Sequence, residues 1–228
     1  MWGTVWACAL AGVALVVPTS AHAAPATQPV VVLYATKPVR AAPDGSVVGS
    51  VNRFRPIHGG RTTLPVLATR RDADGRLWYR VLLPGRPNGH MGWISAAGTR
   101  QGAVGWRVAV SIARREAVVY RLGRVARRFR VIVGAPSTPT PAGHFFVEEV
   151  LREPGDFPGA PYALALSARS TVLQEFDGGP GQIALHGVEN VGGRLGTAAS
   201  HGCVRFGTAA DIWLGRHLPR GTPVDITR

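Results

Sequence analysis

Cysteine is scarce in this chain of 228 residues: there are two, Cys8 and Cys203. Cys8 lies inside an amino-terminal apolar run that breaks at Pro18 and reaches Ala21-His22-Ala23, a small-x-small pattern before Ala24. The pattern predicts a secretory signal peptide over residues 1–23, although the run opens without Lys or Arg. It is shorter than the ~20 apolar residues a membrane span needs, which favours cleavage over an anchor. The exported chain then keeps one cysteine, and a single cysteine excludes an internal disulfide. Cys203 either pairs with another chain or is a working thiol.

Lysine is almost missing as well, with Lys37 alone among 26 basic residues, and acidic residues number only 13. The resulting net charge of +13 predicts attraction to polyanions. Outside the membrane nucleic acid is not the expected partner, and the arginines are scattered rather than gathered in one run. Anionic wall polymers or acidic glycans suit the compartment; plain solubility is the competing explanation. There is no internal repeat and no charge run. About 205 residues remain after residue 23, room for one large domain or two small ones.

Residues 24–29 are rich in Pro, Ala and Thr without periodicity and read as a short disordered lead. From residue 30 to 98 short β-like runs alternate with turn signals, the pattern of a small barrel. Its clearest hairpin is Asp72-Ala73-Asp74-Gly75 feeding Arg76 to Val81, where Asp-Gly supplies a tight turn. The two aspartates lack the other ligand positions of a calcium loop, so the turn reading stands. Trp78 and Trp93 are expected in the core rather than in a ligand groove. Residues 99–105 read as a linker. Trp106 to Ile112 then alternates in the period of a half-buried strand, and further runs predict an antiparallel meander. A loop stiffened by Pro136, Pro139 and Pro141 precedes a strand from His144 to Val150. Another strand, Gln182 to Leu185, delivers His186. Thr208 and Asp211 have capping-box spacing for a short helix that stops at Pro219. The fold class expected is mainly β with one short C-terminal helix.

The chemistry collects in Ser200-His201-Gly202-Cys203-Val204-Arg205, with His186-Gly187 one Gly-rich loop upstream. A thiol is nucleophilic as thiolate, and either histidine could take its proton; Arg205 nearby would favour a thiolate–imidazolium pair. Gly202 beside the nucleophile lets a carbonyl approach the backbone, where N–H groups can hold an oxyanion. Acyl transfer through a thioester is the reaction class implied. Two readings compete: a buried structural cysteine beside two coincidental histidines, or zinc held by His186, His201 and Cys203 with a water as fourth ligand.

The combination of His186-Gly187 with residues 200–205 resembles the signature of the L,D-transpeptidase (YkuD-type) catalytic domain. Supporting matches are the loop Thr138-Pro139-Thr140-Pro141-x-Gly143-x-Phe145 and the closing Gly221-Thr222-Pro223-Val224, so that the resemblance covers residues 106–226. It implies a β-rich enzyme acting on peptidoglycan stem peptides as a monomer, with no cofactor and no metal. Cys203 would attack the carbonyl of the third stem residue and expel the terminal D-alanine, with His186 as proton donor and acceptor and the Gly187 carbonyl orienting its ring. His201, Gly202 and the Cys203 backbone would shape the oxyanion site, supported by Ser200 and Arg205. A neighbouring stem amine would resolve the thioester into a cross-link. Many members carry Asn where this chain has Arg205. Residues 30–98 more loosely resemble a bacterial SH3-like domain, through Asp74-Gly75-x-x-Trp78-x-x-Val81 and Gly92-Trp93-Ile94. The alternatives to cross-linking are an L,D-carboxypeptidase, in which water resolves the thioester, and a silent wall-binding protein.

Overall fold

The computed structural model describes residues 26–176 and 178–228; the expected signal peptide lies outside them. The first sheet is built from β1 (Gln28–Leu33), β2 (Lys37–Arg40), β3 (Val47–Val51), β4 (Thr63–Arg71), β5 (Leu77–Leu82), β6 (Met91–Ser95) and β7 (Thr99–Val104). They pair antiparallel in the order β3-β2-β6-β5-β4-β1-β7 around a core that includes Val31, Leu33, Leu64, Tyr79, Val81 and Ile94. At the β4–β5 hairpin Gly75 takes φ +77°, and Asp72 accepts from the Arg76 amide at 2.8 Å and from the Trp78 indole at 2.9 Å. Both carboxylate oxygens of Asp72 thus serve the turn, and Asp74 pairs with Arg76. Trp78 is buried, as expected.

Two expectations need correcting here. Residues 99–104 are not a linker but strand β7, which pairs with β1 from Gln28↔Val104 to Leu33↔Thr99. Its lone large apolar residue, Val104, hid it, because a strand at the sheet's end buries little. For the same reason the lead is shorter than residues 24–29: Gln28 and Pro29 already belong to β1.

The second sheet follows directly, with β8 (Trp106–Ser111), β9 (Glu116–Arg121), β10 (Arg124–Arg130), β12 (Gly143–Arg152), β13 (Tyr162–Arg169), β14 (Gln182–Gly187), β16 (Val204–Phe206) and β17 (Pro223–Thr227). Its order is β10-β9-β8-β17-β12-β13-β14-β16, in which β17 joins β8, and β16 joins β14, in parallel. A two-stranded piece pairs β11 (Val133–Gly134) with β15 (Ala198–Ser200). The meander β8–β9–β10 turns at Leu122 and Gly123, both at positive φ, the two-residue turn whose twist suits a hairpin. Alternate residues such as Val108, Val110, Phe145, Val147, Leu164, Leu166, Ile183, Leu185, Val204 and Phe206 make one core. The fold is mainly β, and the one helix among the described residues, α1 (Thr208–His217), packs on β13 and β14.

The capping box is not formed. Gly207 is the N-cap and offers no side chain, while Asp211 points inward, fully buried, and accepts from the Tyr162 amide at 2.9 Å. Tertiary packing on the Tyr162 strand claims the carboxylate that local capping would have used.

The two sheets are tied together through β12. A bulge between Val147 and Glu149 lets consecutive glutamates reach the first sheet. Glu148 takes Arg55 and Arg169, and Glu149 accepts from the Ile57 and His58 amides at 3.2 and 3.0 Å. Phe146 inserts into the first core.

Candidate active site

Strand register sets the site. Leu185 stands opposite Val204 and His186 opposite Arg205, so one residue further back Ala184 faces Cys203. Because side chains alternate, Leu185, Val204 and Phe206 enter the core, whereas Ala184, His186, Cys203 and Arg205 share the opposite, half-buried face. His186 and Cys203 are therefore diagonal neighbours on one face of a parallel pair. The Ala184 amide points at Cys203 Sγ at 3.4 Å.

The imidazole of His186 is held from two sides. Its Nδ1 lies 2.8 Å from the Gly187 carbonyl; donating that hydrogen bond fixes the tautomer and leaves Nε2 as the basic nitrogen. Gly159, at φ +86°, covers the ring so closely that a Cβ there would stand 2.2 Å from Nδ1. The Gly159 carbonyl in turn accepts from the Gly187 amide at 2.8 Å. Burial, opposed by the Gly187 carbonyl and aided by the Arg205 charge, lowers the imidazole to a pKa of about 4. Burial also pushes the Cys203 thiol up, against the Ala184 amide and the Arg205 charge. Burial thus favours the uncharged form of each group, against the thiolate–imidazolium pair. Arg205 acts at a distance, with its backbone bridged to Ile132 in both directions at 2.9 Å and its guanidinium directed at the Gly192 carbonyl, 3.5 Å away.

The segment before the thiol is fixed by its own serine and by a neighbouring loop. Ser200, buried, donates to the Cys203 carbonyl at 2.5 Å and accepts from the Gly202 amide at 3.2 Å. Gly202 sits at φ +118°, against Ile183. Thr140 Oγ1 donates to the Gly202 carbonyl and accepts from the Gly134 amide, both at 2.8 Å, and Thr138 donates to the Ser200 carbonyl at 3.0 Å. The stiffness of the Pro-rich loop is explained by these contacts: it presents two hydroxyls at fixed positions to the backbone of residues 200–202. Of the amides expected at an oxyanion site, that of Gly202 is already taken by Ser200, whereas that of Cys203 has no acceptor among the described residues.

His201 does not join His186. It is exposed and packs its ring against Phe176, 5.4 Å between centroids. Among the described residues no group of three His, Cys, Asp or Glu side chains is disposed to hold a metal, and the zinc reading finds no cage. Sequence reasoning missed Gly159, Ala184 and the buried Asp211 as parts of the surroundings, and named Thr138 and Thr140 only as part of the matching loop. The two threonines carried a signal, hydroxyls beside prolines; Gly159 and Ala184 carried none.

A lone thiol and an oriented neutral imidazole on one face of a mainly β domain define a cysteine enzyme of the acyl-transfer kind. The family model of the L,D-transpeptidase catalytic domain, YkuD, matches residues 105–226. The Bacillus licheniformis protein named for that family, L,D-transpeptidase YkuD, is 31% identical over 165 residues, covering 68% of this chain and 90% of its own. Its Bacillus subtilis namesake is 28% identical over 148 residues, covering 65% and 74%. Among solved structures, an Enterococcus faecium L,D-transpeptidase C442S mutant is 20% identical with a TM-score of 0.42, over 53% of this chain and 49% of that one. The chain belongs to the L,D-transpeptidases, a cysteine-dependent family that acts on peptidoglycan stem peptides in the cell wall, outside the cytoplasm.

Proposed function

We propose that the protein is an exported L,D-transpeptidase that joins peptidoglycan stems between their third residues through a Cys203 thioester. The observation that carries this is the shared face of β14 and β16, with Cys203 and a His186 whose Nδ1 is occupied and whose Nε2 is free. In the acylation step Cys203 Sγ attacks the carbonyl carbon of the third stem residue as His186 Nε2 takes the thiol proton. The pKa shifts favour transfer during attack over a standing ion pair. The carbonyl oxygen becomes an oxyanion, for which the unoccupied Cys203 amide is the available donor. Collapse breaks the C–N bond to the terminal D-alanine, and His186 returns its proton to the leaving amine. An amine of a second stem then attacks the thioester and loses a proton to His186, and the thiol is released. Every proton and leaving group has a protein partner in this scheme, so it calls on no metal or cofactor.

Ser200 and Gly202 shape the turn that presents Cys203, Gly187 orients the base, and Arg205 supplies positive charge near the site. His201 stands at the mouth, beside Phe176. Residues 30–98 are read as an SH3-like module; anionic wall polymers are a fitting partner for the basic surface.

The test is incubation of the mature protein with disaccharide-tetrapeptide, followed by mass spectrometry, with Cys203→Ala alongside. Cross-linked dimers are expected from the wild type, and at least a 10³-fold loss in the variant, the order seen when a covalent nucleophile is removed. Tripeptide without dimers would establish a carboxypeptidase instead. No Cys203-dependent product from folded protein would leave a wall-binding protein.

A further inference from the structure

Between β13 and β14 the chain leaves the sheet at Ser170 and returns at Gly181, and this excursion carries Phe176, the aromatic that packs on His201. Its base is closed by Ser170: the Ser170 amide donates to the Gly181 carbonyl at 2.7 Å, and Ser170 Oγ accepts from Val172 and Leu173 at 3.3 and 3.0 Å. Near its tip Phe176 and Gly179 exchange two backbone hydrogen bonds. None of the loop's described residues belongs to either core. Phe176 itself is 51% exposed, so apolar burial does not hold it in place.

What holds the loop comes from the other sheet. Arg86, in the connection between β5 and β6, donates through Nη1 to the Pro180 carbonyl at 2.9 Å. Through Nη2 it donates to the Ser170 carbonyl at 2.9 Å and the Leu173 carbonyl at 3.0 Å. One planar guanidinium thereby gathers both arms of the loop, a task for which its rigid fork suits it and an ammonium does not. Asn88, two residues on, fixes the strand end beneath by a reciprocal pair with the Arg169 backbone, at 2.8 and 2.7 Å, and the Gly85 amide donates to the Ser167 carbonyl at 3.2 Å. Gly181, at φ +62°, leaves the opening: a Cβ there would meet Leu173 O at 2.1 Å and the Arg86 guanidinium at 3.3 Å.

We infer that the first sheet is part of the active-site wall, and that Arg86 is a positioning residue that holds Phe176 against His201 at the edge of the stem-peptide cleft. The inference deepens the proposed function and rests on it for the nature of the substrate. Arg86 touches no reacting atom. It acts by keeping an exposed aromatic face at fixed height beside the Ser200–Cys203 turn, where a bound stem peptide must pass to bring its third carbonyl to Cys203. Lost positioning of this kind weakens substrate capture without altering the thiol or its base.

The test uses the full exported chain with Arg86→Ala, Arg86→Lys, Phe176→Ala and the Arg86→Ala/Phe176→Ala double variant. Arg86 is exposed, so the fold is expected to survive its loss. Hydrogen exchange read by mass spectrometry is expected to speed up in peptides covering Ser170, Leu173 and Gly181 in Arg86→Ala, with β12 and β13 unchanged. Unchanged exchange in the loop overturns the clamp, whatever the enzyme does. In turnover of disaccharide-tetrapeptide, Arg86→Ala and Phe176→Ala are each expected to lower kcat/KM about tenfold, mainly through KM. The double variant should lose no more than either alone, and Arg86→Lys should recover part of the loss. Fully additive losses overturn the coupling. Alkylation of Cys203 by iodoacetamide, too small to need the cleft, is expected at wild-type rate throughout; a parallel fall would mean that Arg86 acts on the thiol itself, and would overturn the positioning role. A wild type that turns nothing over sinks the proposed reaction, while exchange still judges the clamp.

Discussion

Asp211 illustrates how one buried group can set the pH response of the fold around the site. Its carboxylate accepts a single hydrogen bond, from Tyr162, and Oδ1 is buried without a partner. Burial accordingly raises its pKa to about 7, against the opposing Tyr162 hydrogen bond. Between the ordinary carboxylate range and pH 7 the folded chain binds the proton that the unfolded chain has released. By linkage this contribution is fully present below about pH 4 and is lost as pH rises through 7. His186 works in the opposite direction: its lowered pKa favours the folded state above the ordinary histidine range and costs stability as pH falls from about 6.5 towards 4. Asp211 lies behind the strand that carries His186, since a Cβ on Gly187 would come 3.3 Å from its carboxylate. Replacing Asp211 by Asn removes one of these terms. The stability of the wild type relative to Asp211→Asn is expected to fall by on the order of 3 kcal/mol between pH 4 and pH 8. Urea melts at a series of pH values measure it, and parallel curves for the two proteins would refute the assignment.

At the scale of elements, the loop of residues 134–142 and the turn of residues 200–203 behave as one unit, fastened by Thr140. Its hydroxyl is buried and makes two hydrogen bonds, so Thr140→Val strands the Gly134 amide and the Gly202 carbonyl together. The expected cost is about 2–4 kcal/mol in stability, from two buried groups left unpaired. A fall of about 10–100-fold in kcat/KM should accompany it as Cys203 loses its fixed turn. Thr140→Ser keeps the oxygen and should restore most of both; thermal melts and turnover of disaccharide-tetrapeptide check this. The sequence made such loops visible only in part. Strands with one buried face, such as β8 and β14, announce themselves by alternation, and β14 carries His186 to its place. β10 does not: Arg124, Arg127, Arg128 and Arg130 leave it almost wholly exposed at the sheet edge, where pairing with β9 rather than burial makes it a strand. β15 and β16 have three residues each, too few for any period, yet β16 sets the register of Cys203 against Ala184. The thiol and two candidate histidines were therefore legible, whereas the parallel pairing of β14 with β16, which puts His186 on the face of Cys203 and supports it as the proposed base, was not.

For the molecule as a whole, the decisive feature is the set of contacts between the two sheets, in which Glu148 pairs with Arg55, Glu149 accepts from the Ile57 and His58 amides, and Phe146 enters the first core. Sequence patterning suggested a small SH3-like barrel and a linker, because nothing in residues 99–105 advertises a strand and nothing in Glu148-Glu149 advertises a bulge. Burial of Glu148 raises its pKa, while Arg169 and Arg55 pull it back down. Arg169 is itself lowered by burial and raised by Glu148. A buried carboxylate shared between two guanidinium groups adds little against an apolar replacement, but removing one member strands the others. Glu148→Ala leaves Arg55 and Arg169 without their common partner, in a place where Phe146 and the Ile57 and His58 amides also cross between sheets. The expected loss is about 3–5 kcal/mol. Because the contact is shared, the loss should appear in both sheets at once. Urea unfolding followed by circular dichroism and by tryptophan fluorescence, which sees Trp78 in the first sheet and Trp106 in the second, should give a single transition for the wild type and a single, earlier one for Glu148→Ala. Two separated transitions in the wild type would mean that the sheets fold independently. A coincident transition is what a cleft wall built from both sheets requires, since Arg86 can hold the loop beside His201 only while its own sheet stays docked.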